Sequence, residues 1–199
     1  MSEKILDYLS SIEYSIFQQL VLSSAGKLHE DVNQLYGRHR YEFHLHLTND
    51  ILQKSLFSIA NLNIDDAKIL TFVSAFHDTI EDTRNSYSSI QRIAVDFLES
   101  EKNSIIAADA VLALTSNKGK NRKEREGIDY FNGILNTPYA PIIKVCDRIA
   151  NMYFSKVSNN TSLLSMYKKE LNDFINYFKQ DSEWPFSVPP QLLEKLTKI

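Results

Sequence analysis

The chain has 199 residues, enough for one domain with a sizeable core and too few for two ordinary ones. It is 43% hydrophobic and 24% charged, as globular proteins are, and its net charge of -3 argues against broad electrostatic adhesion to nucleic acid or anionic membrane. Cys146 is the only cysteine, which excludes an intrachain disulfide, and no apolar run approaches the length of a membrane span.

Charges interrupt the apolar positions of the opening segment Met1–Tyr14, unlike a signal peptide, so a cytoplasmic protein that does not enter membranes is expected. Every proline lies at or beyond Pro138, so the first two-thirds of the chain has few breakers. Leu6, Leu9, Ile12, Ile16 and Leu20 step by three and four, as helix faces do. The spacing predicts helices over about 2–22, 27–36, 43–61, 64–80, 87–100, 103–115, 121–136, 139–158 and 161–179. Asn63, Ser86 and Asn103 stand as start signals before three of them. Residues 181–190 read as an extended connector, followed by a short closing helix at 191–198. The expected architecture is all-α: one compact helical domain over 1–180, with a C-terminal appendage over 181–199.

The densest chemical signal is Phe76-His77-Asp78-Thr79-Ile80-Glu81-Asp82-Thr83. Neighbouring helical residues point about 100° apart, so one ion can use both His77 and Asp78 only near a helix end. Glu81 and Asp82 follow one turn later, on the same faces. Three acids at a helix C-terminus oppose the macrodipole, a conflict that a bound cation would offset. A solvated acidic helix end is the plainer alternative. Further ligands must come from elsewhere in the chain, with His44, His46 and Asp147 as candidates. Asp147 interrupts an otherwise apolar helix, where a carboxylate is costly unless it is metal-bound or paired with Lys144 or Arg148. Two imidazoles and two carboxylates suit Mn²⁺, Fe²⁺ or Zn²⁺ and fit Ca²⁺ poorly. Lys118, Lys120, Arg122, Lys123 and Arg125 form a basic stretch, readable as a solvated face or as a phosphate clamp.

Taken in order, a first histidine, a His-Asp pair and a distal aspartate resemble the HD-domain superfamily. His77-Asp78-x-x-Glu81-Asp82 is similar to the pattern of its Rel/SpoT-type alarmone hydrolases and their small stand-alone relatives. Tyr41 stands three before His44, as in that branch, which favours His44 over His46. Thr115, Lys118, Arg122 and Arg125 echo the branch's T-x-x-K and trailing basic residues. Lys144, Asp147 and Asn151 match its K-x-x-D-x-x-x-N. The resemblance covers about residues 25–158. The segment before the first histidine is shortened to Tyr36-Gly37-Arg38-His39-Arg40-Tyr41, and Tyr153 replaces a usual positive residue, so nucleotide recognition departs from the family pattern.

The resemblance implies a metal-dependent phosphohydrolase with His44, His77, Asp78 and Asp147 holding the ion, Mn²⁺ foremost. Glu81 and Asp82 would handle the attacking water. Arg38 or Arg40 would stack on the base, and Lys118, Arg122, Arg125, Lys144 and Asn151 would contact the rest of a small-molecule nucleotide. The implied reaction removes the 3′-pyrophosphate of guanosine tetra- or pentaphosphate. Its alternatives are another nucleotide substrate or a non-catalytic nucleotide sensor. The sequence does not indicate an oligomeric state.

Overall fold

The computed structural model describes residues 2–59, 61–116, 127–179 and 182–199. It is all-α, as expected. In chain order its elements are α1 (Glu3–Leu9), α2 (Ile12–Glu30), β1 (Leu35–Tyr36), β2 (His39–Arg40), α3 (Glu42–Leu56), α4 (Ile64–Phe76), α5 (Thr79–Asp82), α6 (Tyr87–Leu98), α7 (Glu101–Leu114), α8 (Ile128–Leu135), α9 (Ala140–Val157), α10 (Thr161–Phe178) and α11 (Pro190–Thr197). Among the described residues, no helix is long and apolar enough to cross a membrane.

Two helices form the centre. In α4, Ala67, Ile69, Leu70, Phe72, Val73, Ala75 and Phe76 are all buried, and α2, α3, α6 and α7 surround it. A helix apolar on nearly every face has to be wrapped in this way. Asn63 starts α4 with a capping box: its side chain accepts from the Asp66 amide, and the Asp66 carboxylate accepts from the Asn63 amide. The second central helix, α9, buries Ile142, Ile143, Val145, Cys146, Ile149 and Met152 against α3, α10 and α11.

The first two helices depart from the sequence reading in three ways. The break falls at Ser10–Ser11, where the Ser11 hydroxyl accepts from the Tyr14 amide and caps α2. Helix α2 then runs through to Glu30 without interruption. Gly26, which falls between the expected 2–22 and 27–36 helices, lies inside it, and a Cβ there would come within 3.0 Å of the Glu42 side chain, so the glycine permits close approach of α3. The stripe Leu6, Ile12, Ile16 and Leu20 is exposed, with Ile12 at 80%, and the core takes Ile5, Tyr14, Val21, Leu22 and Ala25 instead.

A two-stranded antiparallel hairpin replaces the end of the expected 27–36 helix, pairing Leu35 with Arg40 and Tyr36 with His39. Gly37 occupies its turn at φ 62, a backbone conformation that costs glycine little. Of the expected 121–136 helix, the described part is α8. Residues 190–197 do not hang off the domain, because Leu192, Leu193 and Leu196 are buried in the same core. The preceding segment is tied down as well: the Trp184 indole N–H donates to Asp66, and the Tyr139 amide donates to the Pro185 carbonyl.

Candidate metal centre

The centre lies where α4 ends. His77 is the residue that caps α4, and Asp78 opens the short α5 with φ -100 and ψ -2. This interruption of the expected 64–80 helix turns two adjacent side chains toward one point, which a continuous helix would not do. Helix α3 brings His44 from the side, and α9 brings Asp147 across from it.

His44, His77 and Asp78 each present a donor atom within 4.8 Å of the others. The two Nε2 atoms are 3.2 Å apart. Asp78 Oδ2 is 2.9 Å from His77 Nε2 and 3.5 Å from His44 Nε2. Asp147 Oδ1 lies beside this group, at 3.3 Å from His44 Nε2 and 3.8 Å from His77 Nε2. Ligands about 2.1 Å from a shared ion stand about 3.0 Å apart at right angles and about 3.4 Å apart at tetrahedral angles. The separations among His44, His77 and Asp78 fall around those values, so this group could hold a metal ion.

The surrounding hydrogen bonds fix how these atoms point. His77 Nδ1 lies 2.9 Å from the Ser74 carbonyl, so it carries the proton and Nε2 faces the centre. The Tyr41 hydroxyl donates to Asp78 Oδ2 at 2.5 Å, and Asn151 Nδ2 donates to Asp147 Oδ1 at 2.5 Å. Lys144 Nζ stands 3.5 Å from Asp147 Oδ2. Arg148, the other cation considered for Asp147, pairs with Glu170 and lies over the rings of Tyr167 and Phe174.

The electrostatics point the same way. Burial raises the cost of ionising Asp78, but the facing His77 imidazole and His44 reverse this and hold its pKa well below the usual range. Asp147 is likewise depressed, burial being outweighed by Lys144 and the two histidines. Burial disfavours charge on His77, yet Asp78 and Asp147 push its pKa up to about 10, and they raise His44 too. Without another cation, protons would therefore collect on two imidazoles 3.2 Å apart. A metal ion would replace them, and its binding should release protons.

His44, Asp78 and Asp147 open into a cleft of about 180 Å³, also lined by Glu81, Asp82, Ser116, Lys144 and Asn151, with His77 buried behind them. The Glu81 carboxylate is anchored, accepting from the Ser116 amide at 2.8 Å and from its hydroxyl at 2.9 Å. Asp82 is different: burial, with nearby Asp78 adding to it, raises its pKa to about 6. The two acids, alike by spacing, therefore have unlike settings. His46 is exposed, with Nε2 3.6 Å from Glu42, and takes no part in the centre.

The residues expected to bind substrate are scattered. Lys144 and Asn151 line the cleft, whereas Arg40 ion-pairs with Glu30 at 3.2 Å and faces a separate cavity of about 390 Å³ beside α2. Arg38 sits at the exposed hairpin tip. Neither arginine lines the cleft. Lys118, Arg122 and Arg125 lie outside the described residues.

Sequence reasoning passed over Ser74, Ser116 and Tyr36, and used Tyr41 only as a motif marker. Spacing carried a signal for two of these. Ser74 is one turn before His77 and Tyr41 one turn before His44, the separation at which helical neighbours meet. Nothing in the local sequence ties Ser116 to Glu81. No protein-family model matches the chain, and neither does any curated protein.

Proposed function

We propose that the chain is a divalent-metal-dependent phosphohydrolase of HD type acting on a phosphorylated nucleotide. The observation that carries this reading is the meeting of His44, His77, Asp78 and Asp147 beside one cleft that also holds two further acids and a lysine. The motif order in the sequence supports it independently. An ion at this centre would supply Lewis acidity toward a phosphoryl oxygen and an attacking water. Asp82, its pKa raised to about 6 chiefly by burial, is suited to accept that water's proton. Glu81, held by Ser116, would orient the water, and Lys144 would offset charge gathering on the phosphate.

The finer reading is removal of the 3′-pyrophosphate of guanosine tetraphosphate, and it rests on the Rel/SpoT-type motifs. Base recognition by Arg40 loses support from its pairing with Glu30. Single-turnover assays of Mn²⁺-loaded protein, resolved by chromatography, test both levels. Guanosine tetraphosphate should yield pyrophosphate and guanosine 5′-diphosphate. Cleavage of adenosine or dinucleotide substrates alone would remove the alarmone reading and leave the phosphohydrolase. Tight binding without turnover across the panel would leave only a nucleotide sensor.

A further inference from the structure

The two histidines of the centre are oriented by different means. His77 is fixed by its Nδ1 bond to the Ser74 carbonyl. Among the described residues, His44 Nδ1 has no hydrogen-bond partner. Aromatic rings hold this imidazole instead. Tyr36 stacks on it with centroids 4.6 Å apart and planes 27° apart, and Tyr41 meets it edge-on at 5.4 Å.

The same Tyr36 reaches the opposite side of the centre. Its hydroxyl donates to Asn151 Oδ1 at 2.8 Å, and Asn151 Nδ2 in turn donates to Asp147 Oδ1. An amide has one acceptor end and one donor end. Occupying Oδ1 with a phenol donor leaves the NH₂ to face Asp147. Without that donor, a rotated Asn151 would set a carbonyl oxygen against a carboxylate. Tyr36 is itself held in place: Phe154 packs on its ring at 4.2 Å, and a Cβ on Gly37 would meet Phe154 at 2.9 Å.

We infer that Tyr36 is a positioning residue for the metal centre, orienting His44 through its ring and Asp147 through Asn151. This rests on the metal reading above. It makes the β1–β2 hairpin, remote in sequence from three of the four ligands, part of the support of the ion. Outer groups of this kind typically change metal affinity by about 10–100-fold.

The test is Mn²⁺ titration by calorimetry on the intact chain, with metal-free melting curves alongside. Tyr36→Phe keeps the ring and removes the donor, so affinity should fall about tenfold while the metal-free melt stays put. In an Asn151→Ala background the same change should cost nothing further, because the hydroxyl acts only through Asn151. Tyr36→Leu also removes the stack and should weaken binding in both backgrounds. Wild-type affinity in Tyr36→Phe, or an equal further loss in Asn151→Ala, overturns the inference. If the unaltered protein takes up no Mn²⁺, the metal reading itself falls and this inference with it.

Discussion

Two acids flank helix α4, buried Asp66 in its first turn and half-buried Asp78 just past its end, and the two are treated in opposite ways. At the N-terminal end, Asp66 is surrounded by donors: the Asn63 amide, the Tyr139 hydroxyl at 2.7 Å and the Trp184 indole at 3.1 Å. Its oxygens are satisfied, and nothing remains for an ion to do. At the C-terminal end, Asp78 shares its space with two imidazole nitrogens and a second carboxylate, all aimed at one another. A carboxylate ringed by donors marks structure. The convergence of imidazole and carboxylate at one point is what the proposed metal site rests on.

The largest effects should separate the two ends cleanly. Asp147→Ala should abolish Mn²⁺ uptake and phosphohydrolase activity together. Mn²⁺ at about a thousand times its dissociation constant should stabilise the unaltered protein by about 4 kcal/mol, a shift of roughly 8–16 °C, and the variant should show none of it. A chelated Asp147→Ala protein with full activity would end the metal reading. Next in size is the pair of cleft acids. Glu81→Gln with Asp82→Asn should lower kcat by about 10²–10⁴-fold while Mn²⁺ affinity holds, the pattern of groups acting mainly in the transition state. Loss of nucleotide affinity at unchanged turnover would make them binding residues instead.

Asp66→Ala should do the reverse of Asp147→Ala. It strands three donors and should lower stability by about 2–4 kcal/mol, yet the Mn²⁺-induced shift should survive. A vanished shift would erase the contrast between the two ends. A smaller effect concerns Asp82, whose folded pKa of about 6 lies above the ordinary 3.8. Folding therefore favours its neutral form, and ionisation costs stability as pH rises through about 6. In metal-free protein Asp82→Asn should match the parent below pH 3.8 and exceed it by about 1 kcal/mol above pH 6, allowing for solvent screening at this partly exposed group. Urea melts across that range would show it. His46→Ala, at an exposed position, should leave metal binding nearly unchanged.

What the sequence made legible follows from how local each cause is. The start of α4 was readable because Asn63 and Asp66 act within one turn, and the His77–Asp78 pair because a helix end is the only place where neighbours can share an ion. The identity of the inward face was not. Leu6, Ile12, Ile16 and Leu20 have helical spacing, but spacing defines a face without saying which face is covered, and here the covered one holds Tyr14, whose hydroxyl meets Thr71. The hairpin escaped because two-residue strands leave no periodicity. The anchoring of Glu81 by Ser116 joins residues 35 apart and leaves no local pattern. Arg40 is one of two arginines offered for the base by resemblance alone, yet Glu30 at the end of α2 claims it.

The distances along the chain have a kinetic consequence. His44 and His77 are 33 residues apart, and the Tyr36–Asn151 bond closes over 115. No early, local piece of structure contains the centre, since α9 must dock against α3 before the fourth ligand arrives. An ion that needs all four groups therefore cannot guide the first steps of folding. It would act as a late lock, slowing the departure of α9 from the native state and leaving the collapse that precedes it unhurried.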